Sequence, residues 1–465
     1  MSKEANVIDE RKPVWKLVLI LAWPTIVELL LQTTVNYVDT AMVGSIGITA
    51  TAAIGITTST VWLFNGVMNA VAVGFSVLMA QRIGEGDLEE AKAVIRQAVL
   101  SIFAVGGILT ILVGGIIAPR LPIWMKAEPE VVPLAVSYLK IIGAAYMFNV
   151  SLVICSNILR CAGNTKTPMK FNIMTNIINV AGNYLLIYPS KEICLFGKHF
   201  ILLRANLGVS GAALATSLSL AFSGTSLLLV LFFKRSGVRI SLKESFAPRG
   251  DIIKRAVRLG IPVAMERMTI ALGQVSASAL ISGLGTMPLA ANQLASTGES
   301  VCYLPVNGFS TAGTTLVAQS LGAGKKDLAY RYGQWCTLLA GMVMLLTSLM
   351  MFIFAVPITD IFSNDLPTVG LAAKMLRIEA FAEPLLAVGV VMGGVLRGAG
   401  DTKWPFYISV IGMWMIRIPM AYALIHLSGW GLEAVWVAMI ADWLARASIS
   451  MCRFHHKKWL TVGIN

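Results

Sequence analysis

The chain has 465 residues, of which 56% are hydrophobic and only 13% charged, and it carries a net charge of +13. A soluble globular chain is about 25% charged, so a water-soluble fold of this size is excluded for want of polar surface, and the mean hydropathy of +0.75 points to lipid. Only closed barrels and helices satisfy their backbone in lipid; the apolar runs show no polar alternation, so an all-α integral membrane protein is predicted, and its basic excess belongs to cytoplasmic loops rather than to nucleic acid.

The polar start MSKEANVIDERKPVWK lacks the short apolar core and small-residue cleavage site of a signal peptide. Apolar runs long enough for a hydrocarbon core of about 30 Å then predict helices at 15–40, 51–78, 91–118, 131–159, 167–189 and 208–233. The longest hydrophilic stretch, KRSGVRISLKESFAPRGDIIKR, separates these from six more at 252–282, 288–318, 331–358, 370–396, 404–427 and 431–452. The expected organisation is a first six-helix lobe over 1–233, a cytoplasmic linker over 234–251 and a second six-helix lobe over 252–465. Gly-, Pro- and Asn/Asp-rich breaks such as GSIGIT, CAGNTKTP and GAGDTKWP punctuate the runs. With the N-terminus inside, outer loops hold only Arg120, Lys126, Lys191, Lys198 and Arg204 of the 37 Lys and Arg. That asymmetry puts both termini in the cytoplasm and the chain in the cell membrane. Six singly scattered cysteines show no metal or disulfide spacing and read as small apolar residues.

The halves repeat one another. LRCAGNTKTP (159–168) matches LRGAGDTKWP (396–405) at seven of ten positions, LMAQRIGEG (78–86) matches LVAQSLGAG (316–324), and Pro24 and Glu28 fall on Pro262 and Glu266. An even number of helices per half lets both enter from the same side, so the twelve transmembrane helices form two lobes related by a pseudo-twofold along the membrane normal. Transporters of that plan hold substrate between the lobes and alternate access by rocking.

A charge at the bilayer centre costs about 2.5–3.5 kcal/mol on insertion scales, so such residues normally face a cavity, a partner or an ion path. Glu28, Asp39, Glu266, Arg267, Glu299, Glu379, Glu383, Arg417 and Asp442 are the ones to explain. Asp442 and Arg446, four apart, read as a structural pair, with Arg417 as a second partner. Glu266 and Arg267 are adjacent and must point to different faces. Glu28 and Glu266 share a repeat position four residues after a proline, which suits either a partner for freed backbone or a proton-handling group. Asn179 and Asn183 lie one turn apart on the fifth helix, at a depth matching Thr216 on the sixth, with Asp39 near the outer end of the first. One carboxylate with amide and hydroxyl oxygens suits a monovalent cation such as Na⁺, or a proton; the same residues would also serve as polar glue between helices.

With YVDTAMVG (37–44), LMAQRIGEGD (78–87), the two LR-x-AG motifs and GVSGAALATSLS (208–219) in this order, the chain resembles the multidrug and toxic compound extrusion (MATE) family along nearly its whole length. The resemblance implies an exporter of cationic or aromatic drugs driven by inward Na⁺ or H⁺. In similar proteins the first-lobe cation site uses an Asp of the first helix, an Asn and an Asp on the fifth and a Thr on the sixth. Asp39, Asn179 and Thr216 match; Asn183 stands where an Asp is common and leaves Asp39 as the only acid. Some relatives use second-lobe acids, with a seventh-helix Glu about one turn beyond Glu266; Glu266 would replace it, with Glu299 and Glu383 as partners.

No P-loop and no GxSxG is present, so no enzyme is expected. The expected function is a monomeric secondary antiporter that exchanges small organic cations for Na⁺ or H⁺ and needs no cofactor beyond that ion. The cation-coupling candidates are Asp39, Asn179, Asn183 and Thr216, and the second-lobe coupling or substrate candidates are Glu266, Glu299 and Glu383, with Glu28 their first-lobe counterpart. The alternative is a lipid-linked precursor flippase, which needs a basic cavity where this chain has more acids than bases at depth.

Overall fold

The computed structural model describes residue 8 and residues 12–195, 198–202, 204–233, 239–241, 243–363 and 365–464. Among them the chain forms twelve helical rods. In the first lobe these are α1 Val14–Gly44, α2 Ile48–Glu85, α3 Leu88–Trp124, α4 Val131–Ala144 with Tyr146–Cys161, α5 Lys166–Leu186 and α6 Gly208–Phe233. In the second they are α7 Gly250–Ser282, α8 Thr286–Cys302 with Leu304–Gly322, α9 Lys326–Ile353 with Ala355–Asp360, α10 Leu366–Glu379 with Glu383–Gly398, α11 Lys403–Ser428 and α12 Glu433–His455. Among the described residues seven rods are long and apolar enough to cross a membrane as single helices, and the bent rods α4 and α10 bring the number to nine. The other three, α5, α7 and α8, are the rods that carry Asn179, Glu266 and Glu299.

The expected helices are all present, usually a few residues longer. The loop between α5 and α6 additionally folds into a small hairpin, β1 Lys191–Leu195 against β2 Lys198–Leu202, antiparallel with Lys191 opposite Leu202. It falls in the loop that is longer in the first half than in the second.

The repeat is visible in three dimensions. Rod α4 bends by 48° at Ala145 and α10 by 56° across Ala380–Ala382, and Ala145 and Ala382 hold the same place in the two halves. The symmetry fails at the second rod of each lobe. Rod α2 is unbroken, whereas α8 is interrupted at Tyr303, beside Pro305, a residue that cannot supply the helical N–H.

The described part of the linker is fastened to α3. Arg96 pairs with Glu244, Arg249 with Glu90 at 2.7 Å, and Gln97 both donates to the Ala247 carbonyl and accepts from the Arg249 amide. The remainder of the expected linker, 234–238 and 242, and the expected N-terminal tail at 1–7 and 9–11 lie outside the described residues.

An even number of rods puts both ends of the helical bundle on one face, the one that collects most Lys and Arg, called here the basic face. In the half of the bundle nearest it, the lobes meet through small residues that let backbones approach. On α2 and α7, Ala70 and Gly74 face Gly260 and Ala256: a Cβ on Gly74 would lie 2.4 Å from the Ala256 carbonyl oxygen, and one on Gly260 2.8 Å from that of Ala70. At the basic face itself α2 crosses α8. A Cβ on Gly84 would lie 2.0 Å from the Gln319 carbonyl oxygen, and one on Gly322 2.0 Å from that of Gln81. These four residues are repeat mates, Gly84 of Gly322 and Gln81 of Gln319, so the crossing is reciprocal. Their side chains tie the lobes the same way: Gln319 Nε2 donates to the Cys161 carbonyl at 2.8 Å and Gln81 Nε2 to that of Gly398 at 3.4 Å.

Candidate functional site

Asp39 sits near the end of α1 opposite the basic face, where α1 packs on α5. Asn179 and Asn183 project from one face of α5, and Thr216 meets them from α6. Asn183 Nδ2 donates to Asp39 Oδ1 at 2.6 Å. In its satisfied orientation the Asn179 amide donates to Asp39 Oδ1 and Oδ2 at 2.8 and 2.9 Å and accepts from the Thr216 hydroxyl at 3.0 Å. Asn179 and Asn183 are buried and Asp39 is half-buried. The Asn183 carbonyl oxygen is buried without a hydrogen-bond partner. The structure therefore brings together all four first-lobe candidates. Tyr138 of α4 lies within the field of Asp39; it stands in an apolar run with no sequence signal to single it out.

Asp39 is thus held by amide N–H groups rather than by a basic side chain. Dipoles stabilise a carboxylate without neutralising it, so its charge remains available to a cation or proton. Amide and hydroxyl oxygens lie within a short reorientation of the same point. Two residues before Asp39, the Tyr37 hydroxyl contacts Ser300 Oγ at 2.9 Å and the Thr297 carbonyl at 3.3 Å, both on α8 of the other lobe.

In the second lobe the expected acids separate into two groups. Glu266 accepts from Arg397 Nη1 at 3.1 Å on both oxygens. Glu28 pairs with Arg160 in the first lobe. Glu28 corresponds to Glu266 and Arg160 to Arg397, so one buried Glu–Arg pair occurs in each lobe. The structure does not bring Glu28 or Glu266 to the other acids as free carboxylates; each is matched by a cation of its own. Arg267 projects to another face than Glu266, as adjacency requires: Glu266 is buried, while Arg267 is exposed and its Cβ lies against α2 at Gly66.

Glu299, Glu379 and Glu383 form the second group. Glu379 and Glu383 flank the bend in α10; both are fully buried, and none of their four carboxyl oxygens has a hydrogen-bond partner. Glu379 lies in the fields of Glu299, Glu383, Arg417 and Asp442. Arg417 ends a seven-residue π-helical stretch of α11, Ile411–Arg417; such bulges redirect side chains and recur at functional sites. The neighbouring Asp442 is paired with Arg446 through two contacts, so the structural pair expected from their spacing forms, and Arg417 lies in the fields of Asp442, Glu379 and Glu299.

This geometry sits on a known architecture. The family model MatE matches twice, over residues 24–185 and 262–423, so the two matched segments start 238 residues apart, in step with the internal repeat. The chain belongs to this family of multi-pass membrane transporters, the multidrug and toxic compound extrusion proteins. It is 29% identical to the probable multidrug resistance protein NorM of Thermotoga maritima over 94% of this chain and 92% of that one. It is 27% identical to the uncharacterised transporter YisQ of Bacillus subtilis over 96% and 95%. A MATE protein solved in complex with MaL6 superposes with a TM-score of 0.89 over 98% of this chain and 100% of that one, at 22% identity. An outward-facing multidrug resistance MATE transporter superposes with a TM-score of 0.87 over 98% and 99%, also at 22% identity. These likenesses show the two-lobe fold.

Proposed function

We propose that this protein is a secondary antiporter that exports small organic compounds, cationic and aromatic ones foremost, in exchange for Na⁺ or H⁺ entering at Asp39. The reading rests on one observation: three rods bring Asp39, Asn179, Asn183 and Thr216 to one point, and the acid there is held by amides instead of an internal cation. Carriers of the multidrug name among the relatives support the substrate class.

With the basic face in the cytoplasm, the glycine-lined crossings between the lobes lie on the inner side and the Asp39 site on the outer side. A cation or proton at Asp39 displaces the amide donors, and Asn179 and Asn183 must turn their oxygens toward it. That alters how α1 packs on α5. Rod α1 also carries Tyr37 against α8, so the change reaches the lobe interface directly, one residue from Glu299. Substrate held between the lobes is then released outward. Glu299, Glu379 and Glu383 are a second ion-accepting group on this reading, since mutually repelling carboxyls, those of Glu379 and Glu383 without hydrogen-bond partners, gain from a shared proton or cation.

The test is dye efflux from proteoliposomes under an imposed Na⁺ gradient and, separately, an imposed pH gradient. Asp39→Asn should abolish gradient-driven efflux while expression is intact. Undiminished efflux by that variant removes Asp39 from the mechanism.

A further inference from the structure

Arg267 stands midway along α7 Gly250–Ser282, at membrane depth, and its side chain is exposed. It does not face lipid. The exposed residues Ile261, Met265, Met268, Leu272 and Val275 mark the lipid-facing stripe of α7, and at 3.6 residues per turn Arg267 lies about a third of a turn away from it. It shares instead the face of Gly260, two turns earlier, which packs on Ala70 of α2. One turn along α2 from Ala70 is Gly66, where a Cβ would lie 3.3 Å from the Arg267 Cβ. Arg267 therefore continues the α2–α7 crossing away from the basic face, along the seam between the lobes. Exposure at that point places it on the floor of the interlobe cleft.

Charge is out of balance there. Arg267 lies in the fields of Glu266, Arg397 and Tyr303. Glu266 already accepts from Arg397 at 3.1 Å on both oxygens, so one carboxylate serves two guanidiniums and a positive charge is left over. Among the described residues no hydrogen bond or ion pair engages the Arg267 guanidinium. The fold does not require that charge: the repeat mate of Arg267 is Leu29, beside Glu28, which has Arg160 as its own partner. An ionised side chain held at depth without a structural partner marks a substrate or ion path. A guanidinium keeps its proton and cannot relay one, so what it serves is an anion, and its planar fork fits a carboxylate.

An opposite pole lies nearby. Tyr303, at the break in α8, is in the fields of Arg267 and of the acids Glu299 and Glu383 alike. A cationic and an anionic group are thus both within reach of one aromatic side chain, and a ligand that satisfies both is a zwitterion with an aromatic body. We propose, resting on the exporter reading above, that Arg267 is a specificity-determining residue that binds a carboxylate of the substrate, so that the cleft selects organic cations that also carry a carboxylate.

The test uses one xanthene dye in two forms, a zwitterion with a free carboxylate and its methyl ester. Binding of each to the full-length protein in detergent is followed by fluorescence polarisation without any ion gradient, and gradient-driven efflux of each from proteoliposomes is measured beside it. The parent protein should bind the zwitterion more tightly than the ester. In Arg267→Gln the ratio of the two dissociation constants should fall about ten- to hundredfold, the worth of hydrogen bonds to a charged group. Arg267→Lys keeps the charge without the fork and should restore part of the ratio; a lysine variant no better than the glutamine one would assign the preference to packing and overturn the proposal. A parent that moves both dyes without preference, or a ratio unchanged in Arg267→Gln, overturns it while the exporter reading stands. A parent that binds and moves neither dye removes the exporter reading and the proposal with it.

Discussion

Placing a methyl group at the α2–α8 crossing should push the lobes apart at the basic face. In Gly322→Ala the new Cβ would lie 2.0 Å from the Gln81 carbonyl oxygen, and in Gly84→Ala 2.0 Å from that of Gln319. Ordinary C···O contacts are about 3.3–3.6 Å, so the crossing must open by more than about 1 Å. Both obstructing atoms belong to backbone, and no rotamer change relieves the clash. Overpacking of this kind costs about 1–3 kcal/mol. Opening also stretches the cross-lobe hydrogen bond from Gln319 to Cys161, now 2.8 Å, and such a bond contributes about 1 kcal/mol. The arrangement with the basic face closed should therefore lose about 2–4 kcal/mol relative to one in which the lobes part there, a population shift of about 30- to 1000-fold. Spin labels at Lys166 and Lys403, exposed repeat mates at the starts of α5 and α11, would report it by pulsed dipolar spectroscopy in a background without reactive native cysteines. The longer-distance population should grow in either glycine variant and dominate in the double variant. An unchanged distance distribution in a folded double variant would refute the claim that this crossing is the closure.

Three other outcomes follow from the buried charges. Arg397→Met should lower the unfolding temperature by stranding Glu266, about 3–5 kcal/mol for a broken buried pair, and adding Glu266→Gln should restore most of it; a double variant no better than the single would sink the pairing as the cause. Gly412→Ala should destabilise the second lobe in a thermal melt, because its Cβ would sit 2.0 Å from Asp442 Oδ1 and 2.6 Å from Arg446 Nε; a wild-type midpoint would mean that α11 can yield there. In the loop between α10 and α11, burial pushes the Asp401 carboxyl above the ordinary carboxylate range while Arg453, at 2.7 Å, pulls it down. Arg453→Leu removes that pull and raises the folded-state value further, so the charged form costs more. The destabilisation should be present at neutral pH and shrink as pH falls through the folded value, measured as melting temperatures at pH 7.5 and 5.0; an equal deficit at both would show lost packing instead.

The spans, the duplication and the Asp39 constellation were legible in the sequence because each leaves a local or periodic mark. Length and apolarity mark a rod, and a fixed spacing marks a repeat. One turn between Asn179 and Asn183 marks a shared face. The Glu28–Arg160 and Glu266–Arg397 pairs were not read, although all four residues lie in matching segments. Their partners are 132 and 131 residues apart, a separation that only the tertiary fold closes. The signal was nevertheless there: an acid and a base that recur together at one spacing are candidates to pair. The grouping of Glu379 with Glu299 and Glu383 depended on the bend in α10, which puts residues four apart on either side of a break, where helical periodicity no longer predicts their faces.

The two lobes share a backbone plan but divide the ionic work unequally, and the division follows from which charges find internal partners. At the duplicated position each lobe neutralises its glutamate with an arginine, leaving a rigid element near the basic face where the lobes touch. Away from that face the lobes diverge. The first holds one carboxylate among amides, and the second gathers Glu299, Glu379 and Glu383 at the bend of α10, with Arg417 in the fields of the first two, and breaks α8 at Tyr303 beside them. Duplicated pairs suit a hinge that must look alike from both sides, whereas unmatched acids on unlike backbones suit sites that differ in what they accept. The Tyr37 contact with α8 joins the two acid groups through one hydrogen-bonded step. On the antiport proposed above, this contact would make α1 the rod through which ion binding in one lobe bears on the other.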